Sequence, residues 1–159
     1  METIYNKLTL TGSSESIERI IDDEFCFGNT VPSPGPVEKS WFLHHWGVPE
    51  EASVVKINKT RRGRIVTFTT IDSPPDIWLN KTSQIFPEIL FDLAWVNETK
   101  IKQNNGDDEN QIPLSGMITG KMGRLSEKIT TNYKMAKNFA TQYFPEIYNG
   151  HLSIYDYSD

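Results

Sequence analysis

Apolar and polar residues follow their clearest pattern between residues 64 and 96. Residues 65–71 are almost all β-branched or aromatic, which is typical of a sheet strand. Alternation over residues 89–96 predicts a second strand. The intervening helical spacing predicts an apolar face and a solvent face, formed respectively by Ile77, Trp78, Ile85 and Phe86 and by Asn80, Lys81 and Ser83. Ser73 is the predicted N-cap and Pro87 the predicted stop, so this stretch forms a strand–helix–strand unit.

The residues before this unit predict one more strand–helix pair and a hairpin. Residues 3–11 alternate as a strand does, and Ser13 or Ser14 is predicted to cap a short helix. Residues 54–57 and 65–71 are separated by a turn at residues 59–63. The resulting order, β-α-β-β-α-β, predicts an α+β fold of the ferredoxin-like kind, an antiparallel sheet with two helices on one face.

Five further segments lie outside that core pattern. Residues 24–51 form an insertion rich in proline and aromatic residues, and residues 100–112 form a polar, acidic segment that predicts a mobile exposed loop. Residues 116–120 predict a short edge strand. After it, Ser126 is predicted to cap a longer amphipathic helix, and residues 152–157 predict a final strand.

The length of 159 residues indicates one folded unit with a sizeable core. We expect residues 1–125 to form the ferredoxin-like domain and residues 126–159 to form a C-terminal helix–strand extension, packed on the same domain or on a partner. The formal net charge of −5 argues against bulk attraction to nucleic acid or to an anionic membrane. The single cysteine, Cys26, excludes an internal disulfide and a cysteine-cluster metal site.

The chain has no apolar run long enough to span a membrane and no signal-peptide pattern at its N-terminus. The expectation is therefore an intracellular protein, located in the cytoplasm of the host cell, that is not secreted and has no membrane partner.

Four short motifs occur in an order that resembles a known family: residues 6–12 (NKLTLTG), 45–47 (HWG), 73–75 (SPP) and 86–87 (FP). Together they resemble the YubB-like ferredoxin-like domain family, small proteins met in bacteria, plasmids, phages and some large DNA viruses. The resemblance covers roughly the first 120 residues. It implies the fold and a viral, phage or plasmid origin, including a virion or assembly component, but no established activity, so it supplies no catalytic residue.

Aromatic residues are densest at residues 41–46, beside a proline-rich loop. If exposed, they form a protein-binding patch; the alternative is that they cover the sheet as part of the core. A second set of partner contacts is expected on the final strand. The candidate partner-contact residues are Trp41, Phe42, His44, Trp46, Tyr155 and Tyr157.

The predicted hairpin carries the only cluster of basic residues, which are candidates for phosphate contacts: Lys59, Arg61, Arg62 and Arg64. The β-α-β-β-α-β order is also that of RNA-recognition domains, yet the aromatic residues that stack bases in those domains are absent here. Phosphate contact by the hairpin therefore stays open, whereas a base-reading sheet is disfavoured.

Metal-binding and catalytic patterns are not evident. His44 and His45 are adjacent and so point in diverging directions, and residues 107–109 lack the spacing of a calcium loop. No catalytic, cofactor-binding or metal-binding residue is predicted. The favoured function is a non-enzymatic protein-interaction or structural protein that binds a protein partner or a second copy of itself. The alternative is a nucleic-acid-binding accessory protein that uses the basic hairpin, and an enzyme is less favoured.

Overall fold

The computed structural model describes residues 1–103 and 112–148. Its strands are β1 (Thr3–Thr11), β2 (Ser53–Lys59), β3 (Gly63–Ile71), β4 (Leu90–Asn97), β5 (Ser115–Lys121) and β6 (Arg124–Thr130). Its α-helices are α1 (Ser14–Ile21), α2 (Lys39–His45), α3 (Asp76–Ile85), α4 (Glu98–Gln103) and α5 (Tyr133–Tyr143). The protein is α+β: the six strands form one antiparallel sheet in the order β2-β3-β1-β4-β5-β6.

The larger core lies on the sheet face that α1, α2 and α3 cover. Alternate residues of the central strands point into it, as the sequence pattern predicts, and Ile17 and Ile20 of α1 and Trp78 and Leu79 of α3 pack on them. All four helix residues are buried. The helices that cover this first face come from the segments between β1 and β2 and between β3 and β4.

The opposite face of the sheet has a smaller core beneath α5. Ala136 and Ala140 bring that helix close to Ala94 and Val96 of β4, and the ring of Phe144 fills the space beside them. Because α5 covers the middle of this second face, β4 is buried on both faces along its second half. The C-terminal helix is therefore packed on the chain's own sheet.

The third helix differs from the sequence prediction at its start and in its buried face. Ser73 is not the N-cap: its hydroxyl donates to Gly47 O at 2.7 Å, and the helix begins after Pro75. Its buried residues are Trp78, Leu79, Thr82 and Ser83, while Ile85 is exposed. Thr82 and Ser83 can be buried because their hydroxyl groups form hydrogen bonds, to Thr30 and to Asn80 O respectively. The spacing of apolar residues in the sequence does not reveal such bonds.

The region after β4 contains two further corrections. Residues 98–103, of which the last four were predicted to belong to a loop, form α4 instead. Residues 116–120 are not an edge strand, since β5 pairs with both β4 and β6. Ser126 lies inside β6 rather than at a helix cap; the helix begins seven residues later, where the side chain of Asn132 accepts the N–H of Met135 at 3.0 Å.

Two predicted features lie outside the described residues: the acidic centre of the loop, residues 107–109, and the final strand, residues 152–157. Within residues 1–103 and 112–148, no helix is long and apolar enough to cross a membrane.

Candidate protein-interaction site

A pocket of about 330 Å³ opens at one end of the sheet, where β1 begins and β3, β4 and β6 end. Antiparallel pairing brings these ends together: Thr3 lies opposite Ile71, and Ile4 opposite Asn97. The start of α3 and residues 112–113 form the remaining walls. The lining residues are Glu2, Ile4, Asp72, Ser73, Pro74, Asp76, Trp95, Asn97, Ile112, Pro113, Glu127 and Ile129.

Glu2 is held in place and neutralised by its neighbours. Its carboxylate accepts the side-chain amide N–H of Asn97 at 3.0 Å and forms an ion pair with Lys100 at 3.1 Å. Asp72 is fixed through the same segment, because its side chain accepts the Glu2 N–H at 2.7 Å and its own N–H donates to Glu2 O at 2.7 Å. Asp72 has a positive φ of 68°, a conformation that aspartate tolerates better than most residues.

Glu127 and Trp95 connect the edge strand to the pocket floor. Trp95 is 5% exposed, and its indole N–H donates to the Glu127 carboxylate at 3.3 Å. Gly116 of the intervening strand leaves room for this indole, since a Cβ there would lie 2.7 Å from Trp95 Nε1. The glycine therefore sets the depth of the pocket, and the indole holds the Glu127 carboxylate at its wall.

Asp76, in the first turn of α3, completes the acidic lining. Burial raises the pKa of its carboxyl above the ordinary value, although the backbone N–H of Ile77, 2.9 Å from Oδ1, opposes that rise. The residue as a whole is exposed, but Gly47 lies directly against its carboxyl oxygen. Asp76 thus adds to the pocket wall a carboxylate that has no described cationic partner.

The pocket thus combines an apolar floor with four carboxylates, and none of its described lining residues is a cation. In the part of the chain that the structure describes, Lys100 pairs with Glu2, and no cation pairs with Asp72, Asp76 or Glu127. Planar guanidinium groups match carboxylates through paired N–H donors and also lie well against apolar surface. The pocket chemistry therefore suits an arginine or lysine side chain.

The sequence-predicted basic hairpin lies at the opposite end of the sheet, where Thr11 pairs with Gly63. Lys59, Arg61 and Arg62 are exposed, with no anionic partner among the described residues. Arg64 differs from them, because it points toward α1 and pairs with Glu18 at 2.5 Å. Three of the four predicted basic residues therefore remain available to a partner.

The predicted aromatic patch is divided between core and surface. Trp46 is 3% exposed and donates its indole N–H to Val31 O at 2.9 Å, while Trp41 and Phe42 are half-buried against the same core. His44 is exposed, but its Nδ1 lies 2.8 Å from Ser40 O of its own helix. The cluster mainly packs the proline-rich insertion onto the sheet, and Leu43 is its exposed apolar residue.

Tyr155 and Tyr157, the other predicted partner contacts, lie outside the described residues. Among the residues described, no group of three or more His, Cys, Asp or Glu side chains is placed to hold a metal ion. His45 instead stacks on Trp41 at 4.3 Å and lies 2.7 Å from Lys81 Nζ. Desolvation, with Lys81 next in effect, lowers the pKa of His45, so the neutral ring accepts the ammonium N–H.

Cations also line the part of the second sheet face that α5 leaves uncovered. Cross-strand registers place them on that face, and Asp92 is the one strand carboxylate that shares it among the described residues. These cations are Lys7, Lys56, Lys121, Arg124 and Lys128. Lys7 is less available to a ligand than the others, because its ammonium already donates a hydrogen bond to Tyr143 O at 2.6 Å. Sequence reasoning missed this face, because Lys121, Arg124 and Lys128 lie outside the strands that the sequence predicted.

The pocket carboxylates were also missed, because they come from three distant segments, at residues 2, 72–76 and 127, whose meeting depends on strand order. A comparison of the chain with protein-family models, with curated proteins and with solved structures finds no match in any of the three.

Proposed function

We propose that this protein is a non-enzymatic interaction protein that binds a cationic side chain of a protein partner in the acidic pocket. The observation that supports this function is the set of three carboxylates, Asp72, Asp76 and Glu127, that surround an apolar floor without a described cationic partner. Such a pocket gives a guanidinium both ionic hydrogen bonds and apolar contact.

The surroundings of the pocket favour a polypeptide over a free small amine. β6 is an edge strand of the sheet, and it lies beside the pocket. Ile112 and Ile129 on the rim are 39% and 51% exposed, so they offer apolar surface next to the carboxylates. A protein segment reaching the pocket would cover both isoleucines, which adds apolar burial to the ionic contact.

The first experiment measures binding of a short arginine-containing peptide to the full chain at low salt, by intrinsic tryptophan fluorescence and calorimetry. The matched peptide has glutamate in place of arginine and is expected not to bind. Asp76→Asn combined with Glu127→Gln should weaken binding of the arginine peptide at least about tenfold, since two charge-assisted contacts are lost. Glu24→Gln, which neutralises an exposed carboxylate outside the pocket, should leave binding unchanged. Equal affinity for the two peptides would refute the proposal.

A second candidate function is binding of single-stranded nucleic acid, and the basic second face of the sheet supports it. Lysine and arginine on that face, together with the hairpin, form a surface for phosphate groups, but its described strands carry no exposed aromatic row for base stacking. The expected signature is affinity that falls steeply with salt and hardly depends on sequence. Lys121→Ala combined with Arg124→Ala should reduce the salt dependence, and absence of binding to an oligonucleotide at low salt would exclude this function.

We also propose the finer fold assignment, a ferredoxin-like unit formed by the first four strands. The strand order β2-β3-β1-β4 and the helices that precede β2 and follow β3 support it. Membership of the YubB-like family, with its implied viral or phage origin, stays a prediction from the motifs in the first 90 residues.

A further inference from the structure

We infer that the partner of the acidic pocket is a second copy of this chain, whose basic hairpin, defined by Lys59, Arg61 and Arg62, enters the pocket. This inference rests on the proposed function, because it names the occupant of the same pocket. It joins two sets of opposite charge on one molecule, the hairpin cations and the carboxylates of Asp72, Asp76 and Glu127, neither of which has an ionic partner among the described residues.

The hairpin has the form that such a pocket requires. Its turn is tight: Thr60 N–H donates to Gly63 O at 3.0 Å, and Gly12 N–H donates to Arg62 O at 3.1 Å. These bonds fix the backbone, so the cationic side chains project from a rigid tip and less conformational entropy is lost when they bind. Arg64, which follows the turn, forms an ion pair with Glu18. The cations that remain available are therefore Lys59, Arg61 and Arg62.

The two surfaces lie at opposite ends of the sheet and cannot meet within one copy. β1 runs from Thr3, beside the pocket, to Thr11, which pairs with Gly63 at the hairpin. Nine residues of extended strand span about 30 Å. A hairpin therefore reaches a pocket only in another molecule. The arrangement assigned here is heterologous and runs head to tail, whereas a reciprocal antiparallel pair would stop at two copies.

Charge and size are matched across this contact. Three cations at the tip face three carboxylates without described cationic partners, and the rim isoleucines of the pocket lie where the apolar stems of the arginine side chains would pass. The volume of about 330 Å³ is at the lower end of ligand pockets, which suits one or two side chains rather than a helix. A nucleic acid, by contrast, would be repelled by the carboxylates.

A head-to-tail contact leaves a free hairpin at one end of every assembly and a free pocket at the other. Association therefore continues into open chains unless the rotation between copies closes a ring. Assembly should grow with protein concentration and decline as salt screens the charges, since the pocket is open to solvent.

The test is sedimentation velocity of the full chain over a concentration series at low and at high salt. Arg61→Glu combined with Arg62→Glu gives a hairpin variant with an intact pocket. Asp76→Asn combined with Glu127→Gln gives a pocket variant with an intact hairpin. Each variant alone should associate at least about tenfold more weakly than the natural chain, because opposed like charges or lost partners weaken the contact.

Mixing the two variants provides the decisive measurement. The intact pocket of the hairpin variant and the intact hairpin of the pocket variant should form a complex of one copy each that grows no further. Lys39→Glu combined with Lys134→Glu, which changes the charge of exposed residues elsewhere by the same amount, should assemble like the natural chain. Circular dichroism and thermal melting confirm that each variant is folded.

The outcomes separate this inference from the proposed function. A natural chain that stays monomeric at every concentration, yet binds the arginine peptide, would overturn the second-copy inference and leave the pocket function standing. Assembly that persists in the hairpin variant would also overturn it, by placing the interface elsewhere. If the hairpin variant loses oligonucleotide binding while the natural chain never self-associates, the hairpin serves a nucleic acid instead.

Discussion

Phe144→Ala tests whether the C-terminal helix belongs to the core of this chain. The ring of Phe144 is 1% exposed, packs 6.3 Å from that of Tyr5, and lies under the ammonium of Lys7, 5.8 Å from its centroid. Phe139, five residues earlier, is half-buried, and its ring centroid lies 4.4 Å from that of Tyr143 in the same helix. The two phenylalanines therefore form a matched pair, one within the core and one at its margin.

The magnitude follows from the burial of the ring. Truncating a fully buried phenylalanine to alanine typically costs about 3–5 kcal/mol of the free energy of unfolding, because apolar burial is lost and a cavity remains. Phe139→Ala should cost less than Phe144→Ala, because Phe139 is only partly buried. With a urea dependence of about 2 kcal/mol/M, Phe144→Ala should lower the unfolding midpoint by about 1.5–2.5 M.

The assay is equilibrium unfolding in urea, followed both by tryptophan fluorescence and by far-ultraviolet circular dichroism. Coincident single transitions would show that α5 unfolds together with the sheet, as its packing on β4 requires. A Phe144→Ala midpoint no lower than that of Phe139→Ala, or a separate early transition for the helix, would refute the assignment of α5 to the core.

Three smaller changes test other parts of the structure. Asn132→Ala should cost about 1 kcal/mol in urea unfolding because it removes the N-cap of α5, while Ser126→Ala, at the position favoured by the sequence, should cost little. Gly116→Ala should cost about 1–3 kcal/mol and change the Trp95 emission spectrum, since a Cβ would crowd the indole. Peptide binding should be lost as pH falls through the raised pKa of Asp76, because protonation removes the charge that a cation requires; this loss should be smaller in Asp76→Asn, which calorimetry at several pH values would show.

The strands of the sheet centre were predictable because burial imposes a simple alternation on them. In β1 every second residue from Ile4 to Leu10 is buried, and this is the pattern that the sequence displays. β6 was not predictable in the same way, since an edge strand mixes charged and apolar residues on surfaces that are nearly all exposed. Ser126 resembled a helix cap because serine is a preferred N-cap residue. Its pairing with Thr119 of β5 depends on tertiary structure, which the local sequence does not reveal.

The buried face of α3 shows a different limit of sequence reasoning. Ser83 looks like a solvent residue, yet it is fully buried: its hydroxyl donates to Asn80 O at 2.9 Å and accepts the Gly123 N–H at 2.9 Å. That second partner lies in the β5–β6 turn, 40 residues away. Hydroxyl groups are tolerated in a core when their bonds are satisfied, so their burial depends on tertiary partners that composition does not reveal.

The same dependence on tertiary partners explains why the basic hairpin was recognised and the acidic pocket was not. The hairpin cations are neighbours in sequence, so a local reading finds them. The carboxylates of Asp72 and Glu127 are 55 positions apart, and they share a pocket because antiparallel pairing gathers the ends of β1, β3, β4 and β6. Pairing β2 with β3 places their connecting turn at the other end of the sheet. Opposite charges at opposite ends are thus a consequence of strand order, and a head-to-tail assembly built on them would repeat along the strand direction.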